Sequence, residues 1–148
     1  MADYNNILLA TDLSTDWDEL CTKGIKLAET FDAKLSFLHI VEHIPVELAS
    51  DMMMPPMVDL DTPHIENART ELDAKIDSLQ LPYQAERWVE LGNTKNEIFR
   101  TVEESGIDLL ILGNHPRHGF AVLFGSTASS VLHKAPCDVL TVRLADAP

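Results

Sequence analysis

A chain of 148 residues with 45% hydrophobic and 24% charged side chains has the size and composition of a single domain with a full core. Its formal net charge of −13 excludes a nucleic-acid surface, which needs clustered Lys and Arg, and reads instead as a solubilising surface. Two cysteines, Cys21 and Cys137, supply neither a disulfide framework nor metal-ligand spacing and read as small buried hydrophobes in a reducing compartment.

The opening MADYNNILLATDLS has no basic signal-like region, and no apolar run approaches the ~18 residues needed to span a bilayer. A cytoplasmic protein without membrane insertion is expected. Ile7 to Thr11 is a short apolar run ending at Asp12-Leu13-Ser14, a strand that enters a turn from which a helix begins. Leu20, Gly24, Leu27, Ala28 and Phe31 then recur at helical spacing, with Glu and Lys on the other faces. Leu35 to Val41 returns to a strand pattern and completes a βαβ unit with a right-handed crossover. Within it His39 reads as a hydrogen-bonded core histidine rather than a base.

Glu42 to Asp61, with prolines at 45, 55 and 56 and no sustained period, reads as a long surface excursion. Its Met52, Met53, Met54 and Met57 are thioethers of the kind that suit cuprous copper, but beside a Pro-Pro pair they fit adaptable packing for a lid, ligand or partner better. No metal site is expected. Ile65, Ala68, Leu72, Ile76 and Leu79 mark a second helix ending near Leu81-Pro82, and Gln84 to Val89 a third strand. Gly92-Asn93-Thr94 leads into a third helix carrying Ile98, Phe99 and Val102, and Gly106 caps it.

Ile107 to Leu112 is a nearly continuous apolar run closed by Gly113, the pattern of a central parallel strand covered on both faces. After a glycine-bounded loop, Gly125-Ser126-Thr127 opens a short helix with apolar Ala128, Val131 and Leu132 at helical spacing, and Val139 to Val142 is a last buried-type strand. Ser or Thr at a helix start bonds the orphaned N–H groups, which with the positive end of the dipole also hold anions. Arg117, His115 and His118 add positive charge inside the same loop. The element order β-α-β-α-β-α-β-α-β gives an α/β fold: one unit over residues 1–148, an open doubly wound parallel five-stranded sheet with helices on both faces. Strand order 3-2-1-4-5 is the common arrangement, and the pattern alone leaves 2-1-3-4-5 open.

The segments GNHPRHGFAVLFGST and APCDVLTVR resemble the universal stress proteins, whose ATP-binding members carry G-x2-G-x9-G-[ST] after the fourth strand and a final strand often written APCPVLVVR. Two positions depart from that form. Pro116 replaces the second glycine, removing an N–H and forbidding a left-handed turn, and the gap to Gly125 is one residue shorter. Gly119 follows three residues later. The resemblance implies order 3-2-1-4-5 and an adenine nucleotide at the C-terminal edge of the sheet. It implies Asp12 and Ile40 at the base and ribose, and Gly113, Gly119, Gly125, Ser126 and Thr127 at the phosphates, with Arg117 and His118 beside them. The implied cofactor is ATP, with Mg²⁺.

Asp12 serves equally as a helix cap by its residue type, and the two roles can coexist. The first βα turn lacks the dinucleotide glycines and the Walker sequence is missing, which argues against a dehydrogenase and a P-loop NTPase. No Ser-His-Asp order or paired-acid motif stands out, so no catalytic residue is expected and, at most, slow nucleotide hydrolysis. Two functions stay open: a nucleotide-binding stress-response regulator, or a nucleotide-free interaction protein of the same fold. Both are expected to be homodimers that meet an unidentified protein partner, with the edge strand Val139 to Val142 at or near the dimer interface.

Overall fold

A computed structural model describes residues 4–13, 17–42, 61–114 and 131–144. In chain order these form β1 (Asn6–Ala10), α1 (Trp17–Phe31), β2 (Lys34–Val41), α2 (Asp61–Ser78), β3 (Glu86–Leu91), α3 (Thr94–Ser105), β4 (Leu109–Asn114) and β5 (Asp138–Arg143). Residues 131–134 are helical as well. The five strands make one sheet in the order β3-β2-β1-β4-β5, every neighbour parallel, which decides for 3-2-1-4-5.

Alternation along the strands sorts the apolar residues onto two faces. Ile7 and Leu9 of β1, Leu35 and Phe37 of β2 and Leu109 and Ile111 of β4 pack with α1 and α2; Leu8, Leu38, Ile40, Leu110 and Leu112 pack with Ile98 and Val102 of α3 and with Val131. This double burial is why the inner strands read as unbroken apolar runs. Gly24 lets α1 lie close on the sheet: a Cβ there would come within 2.9 Å of Leu9 Cδ1. Trp17 stacks tilted on Phe37 at 5.6 Å between ring centroids, with Lys75 Nζ over its ring at 5.8 Å from the centroid.

The element ends follow local hydrogen bonding. Asn93 caps α3, its side chain accepting from the Asn96 N–H, and Gly106 closes that helix at φ 65° with its own N–H bonded to the Val102 carbonyl. Ile107 N–H bonds to the same carbonyl, so the chain is still turning where its sequence already looks strand-like, and β4 begins two residues later. β3 likewise runs Glu86–Leu91 rather than from Gln84, although Ala85 is buried. Residues 14–16, whose N–H groups a cap on Asp12 would reach, lie outside the described residues. The Met52 to Met57 segment and the start of the Gly125-Ser126-Thr127 helix lie outside the described residues.

Candidate functional site

In an open parallel sheet a crevice forms beyond the carboxyl ends of the strands where the winding reverses, here between β1 and β4. The register pairs Leu9 with Ile111, so Asp12, beyond the end of β1, stands level with Asn114, the last residue of β4. Beside β1, a recess is lined by Thr11 and Asp12, by His39 and Ile40 of β2, and by Thr94 and Ile98 of α3. Two of the expected base-end residues, Asp12 and Ile40, therefore meet. The recess is narrow, about 20 Å³, room for a water rather than a base. Asp12 and His39 also border a wider groove of about 640 Å³ against α2, whose wall carries His64, Asn67 and Glu71.

Backbone bonds hold this corner. Thr11 N–H bonds to the Leu38 carbonyl at 2.9 Å, extending the β1–β2 ladder, and Leu13 N–H bonds to Thr11 Oγ1 at 2.9 Å, so the threonine turns the chain out of the strand. His39 Nδ1 lies 2.8 Å from the Thr11 carbonyl. A carbonyl only accepts, so Nδ1 carries the proton, which leaves Nε2 of the neutral ring as an acceptor. His39 is thus hydrogen-bonded, as expected of it, yet it also fronts the recess. On the α3 side, Thr94 is buried and donates from Oγ1 to Glu42 Oε1 at 2.9 Å, while Gly92 N–H reaches the Val41 carbonyl.

Gly113 stands apart from this recess. It is the second-last residue of β4, opposite Val142, and a Cβ on it would come within 2.7 Å of Leu144 Cδ1. Packing against Leu144 is therefore one physical reason for a glycine there. Arg117, His118, Gly119, Gly125, Ser126 and Thr127, with Pro116 and His115, lie outside the described residues. Among the described residues no Lys or Arg lines the recess or the wider groove. Thr94 and Ile98 were read from the sequence as helix residues and not as site residues, and Asn67 and Glu71 were not singled out. A Thr at a helix start after the third strand was the one available signal.

The model of the universal stress protein family matches residues 3–143. The chain belongs to the universal stress protein family. Universal stress protein A homolog 1 of Coxiella burnetii is 32% identical over 139 residues, covering 94% of this chain and 96% of that protein. The structure of the universal stress protein UspA from Lactobacillus plantarum superposes with a TM-score of 0.66 at 26% identity, over 97% of this chain and all of that one. A universal stress protein in complex with cAMP shares the fold, with a TM-score of 0.56 at 20% identity over 94% of this chain and 96% of that one.

Within this universal stress protein fold, the turn after β1 holds one residue in an uncommon backbone conformation. Leu13 adopts φ 61°, a left-handed conformation that costs a side chain about 1–2 kcal/mol. Its side chain packs on the core formed with α1 and α2, which offsets that strain. Asp12 is thus presented at the recess by a turn held by Thr11 and by the burial of Leu13.

Proposed function

We propose that this universal stress protein is a cytoplasmic regulatory protein that binds ATP or a related adenine nucleotide at the C-terminal edge of its sheet. The observation that carries the reading is the convergence of Asp12 and Ile40 on one recess beyond β1 and β2. Asp12 offers a carboxylate to amino or hydroxyl donors of a base or ribose, His39 Nε2 a second acceptor, and Ile40 and Ile98 apolar surface. Because the recess itself is small, the nucleotide spans its mouth and the groove towards α2, where Asp12 and His39 are shared. The cAMP complex of a family member supports an adenine ring in this fold.

In this reading the phosphates run towards the segment after β4. Gly113 begins that segment, and Arg117, His118, Gly119, Gly125, Ser126 and Thr127 supply N–H groups, hydroxyls and positive charge. Among the described residues no group of three His, Cys, Asp or Glu side chains is placed to hold a metal, so Mg²⁺ enters as the counter-ion of the phosphates. No catalytic residue is assigned, and hydrolysis is at most slow. The protein acts as a homodimer, with the edge strand β5 at or near the interface and the nucleotide favouring one state that a protein partner reads.

Pro116 and the shortened spacing to Gly125 favour a second reading, an interaction protein that has lost its nucleotide. Denaturing the purified protein and chromatographing the supernatant separates the two. Near-stoichiometric adenine nucleotide is expected. Its absence, together with no thermal shift at millimolar ATP-Mg²⁺, selects the second reading.

A further inference from the structure

The inward face of α1 is Trp17, Leu20, Cys21, Gly24 and Ala28. The neighbouring stripe, Lys23, Lys26, Leu27 and Thr30, has the same i, i+3, i+4, i+7 spacing but carries two cations. α1 packs mainly on β1, β2 and β4. On the α1 side of β5, Val142 is buried in the core but Leu140 is 37% exposed. Between the stripe and the strand runs a groove of about 570 Å³, with Leu27, Leu140 and Val142 as apolar surface and Lys23, Lys26 and Arg143 as its charged groups.

Lys34, Arg87 and Arg100 each face a carboxylate. Among the described residues no carboxylate pairs with Lys23, Lys26 or Arg143, although the chain carries a net charge of −13. Three cations around apolar surface, none ion-paired among the described residues, repel one another and attract an anion, and the volume falls within the ~300–1,000 Å³ of small-molecule sites. We propose that the α1–β5 groove is a ligand site distinct from the Asp12 recess and takes a small amphiphilic anion, an apolar or aromatic body bearing a phosphate-type head.

Size and symmetry favour this occupant over a macromolecule. Lys23 to Thr30 and Leu140 to Arg143 each extend about 10 Å, the length of a small organic molecule and of only three or four extended peptide residues. A second copy seated in the groove across a two-fold axis would set cations against cations. Pairing of β5 edges in a dimer instead leaves this face of the strand free and brings the cations of two copies closer, which a bound anion offsets.

The test is a titration of the ¹⁵N-labelled full chain with 2-naphthyl phosphate at low ionic strength, repeated with inorganic phosphate and with uncharged 2-naphthol. Saturable shifts are expected at the amides of Leu27, Thr30, Leu140 and Thr141, with both control compounds binding more weakly. Lys26→Gln or Arg143→Gln alone should weaken binding about two- to fivefold, the scale of exposed ion pairs, and the two together about tenfold. Lys26→Arg should retain it. Shifts confined to Asp12 and Thr94, unchanged binding by the double variant, or inorganic phosphate binding as tightly as the naphthyl ester would each overturn the proposal. None of these outcomes depends on whether ATP binds elsewhere.

Discussion

β1 and β5 are both parallel strands of one sheet, yet they do opposite things. In β1, Ile7, Leu8 and Leu9 are completely buried, sandwiched between α1 and α3, and the strand delivers Asp12 to the recess at its end. In β5 only Val142 is fully buried, while Leu140, Thr141 and Arg143 are exposed along a cationic groove. The difference is helix coverage, not strand chemistry. A central strand has a helix on each face and can only present residues at its tip, whereas the edge strand β5 also presents Leu140 from its middle.

Truncation breaks the comparison most sharply. Leu9→Ala should destabilise the fold by about 3–5 kcal/mol, because a buried leucine leaves a cavity that the neighbouring strands cannot fill. Leu140→Ala should cost less than about 1 kcal/mol. Urea denaturation of both variants measures this, and equal losses would mean that β5 is buried in solution.

The two thiols extend the contrast to pH. Burial, reinforced by Asp18 and opposed by Lys75, pushes the Cys21 thiol from 9.0 up to about 12. A folded pKa above the unfolded one means the folded state holds its proton longer, so this stabilisation is full below about pH 9 and is lost as pH rises towards about 12. Burial, with Asp138 and Asp108 adding to it, takes Cys137 only to about 11, and it is half-buried beside β5. Urea midpoints measured at rising alkaline pH should fall more steeply in wild type than in Cys21→Ala. Iodoacetamide should modify Cys137 before Cys21.

A smaller effect separates space from backbone freedom. Gly106 has nothing within 4 Å of an added Cβ, but it sits at φ 65°. Gly106→Ala should therefore cost about 1 kcal/mol despite the open surroundings, read as a lower urea midpoint with an unchanged slope. No change at that position would show that exposure alone governs tolerance on this surface.

Residue patterns exposed much of this architecture. Doubly buried β1 and β4 were legible as unbroken apolar runs, and α1 as a stripe, because burial on both faces or on one leaves those periods. Strand starts were less legible. Ile107 and Ala85 are buried but lie in turns before β4 and β3, since hydrophobicity reports burial rather than pairing. The choice between two strand orders was invisible locally, because both orders bury the same residues. Asp12 and Ile40 were legible only through their resemblance to family positions. Thr94 and Ile98 reach the recess from α3, and Lys23 and Arg143 share a groove from opposite ends of the chain, contacts that only the closed sheet creates. Leu13 gave no warning of its φ 61°, because leucine has no local preference for that conformation.

The most direct test of the nucleotide reading is calorimetric titration of ATP-Mg²⁺ into wild type and Asp12→Ala. Saturable binding by wild type is predicted, weakened about tenfold or more in the variant, as expected when a charged hydrogen-bond partner worth about 1.5–3 kcal/mol is removed. Binding of ATP with the same affinity by both proteins, or by neither at millimolar concentration, would contradict it.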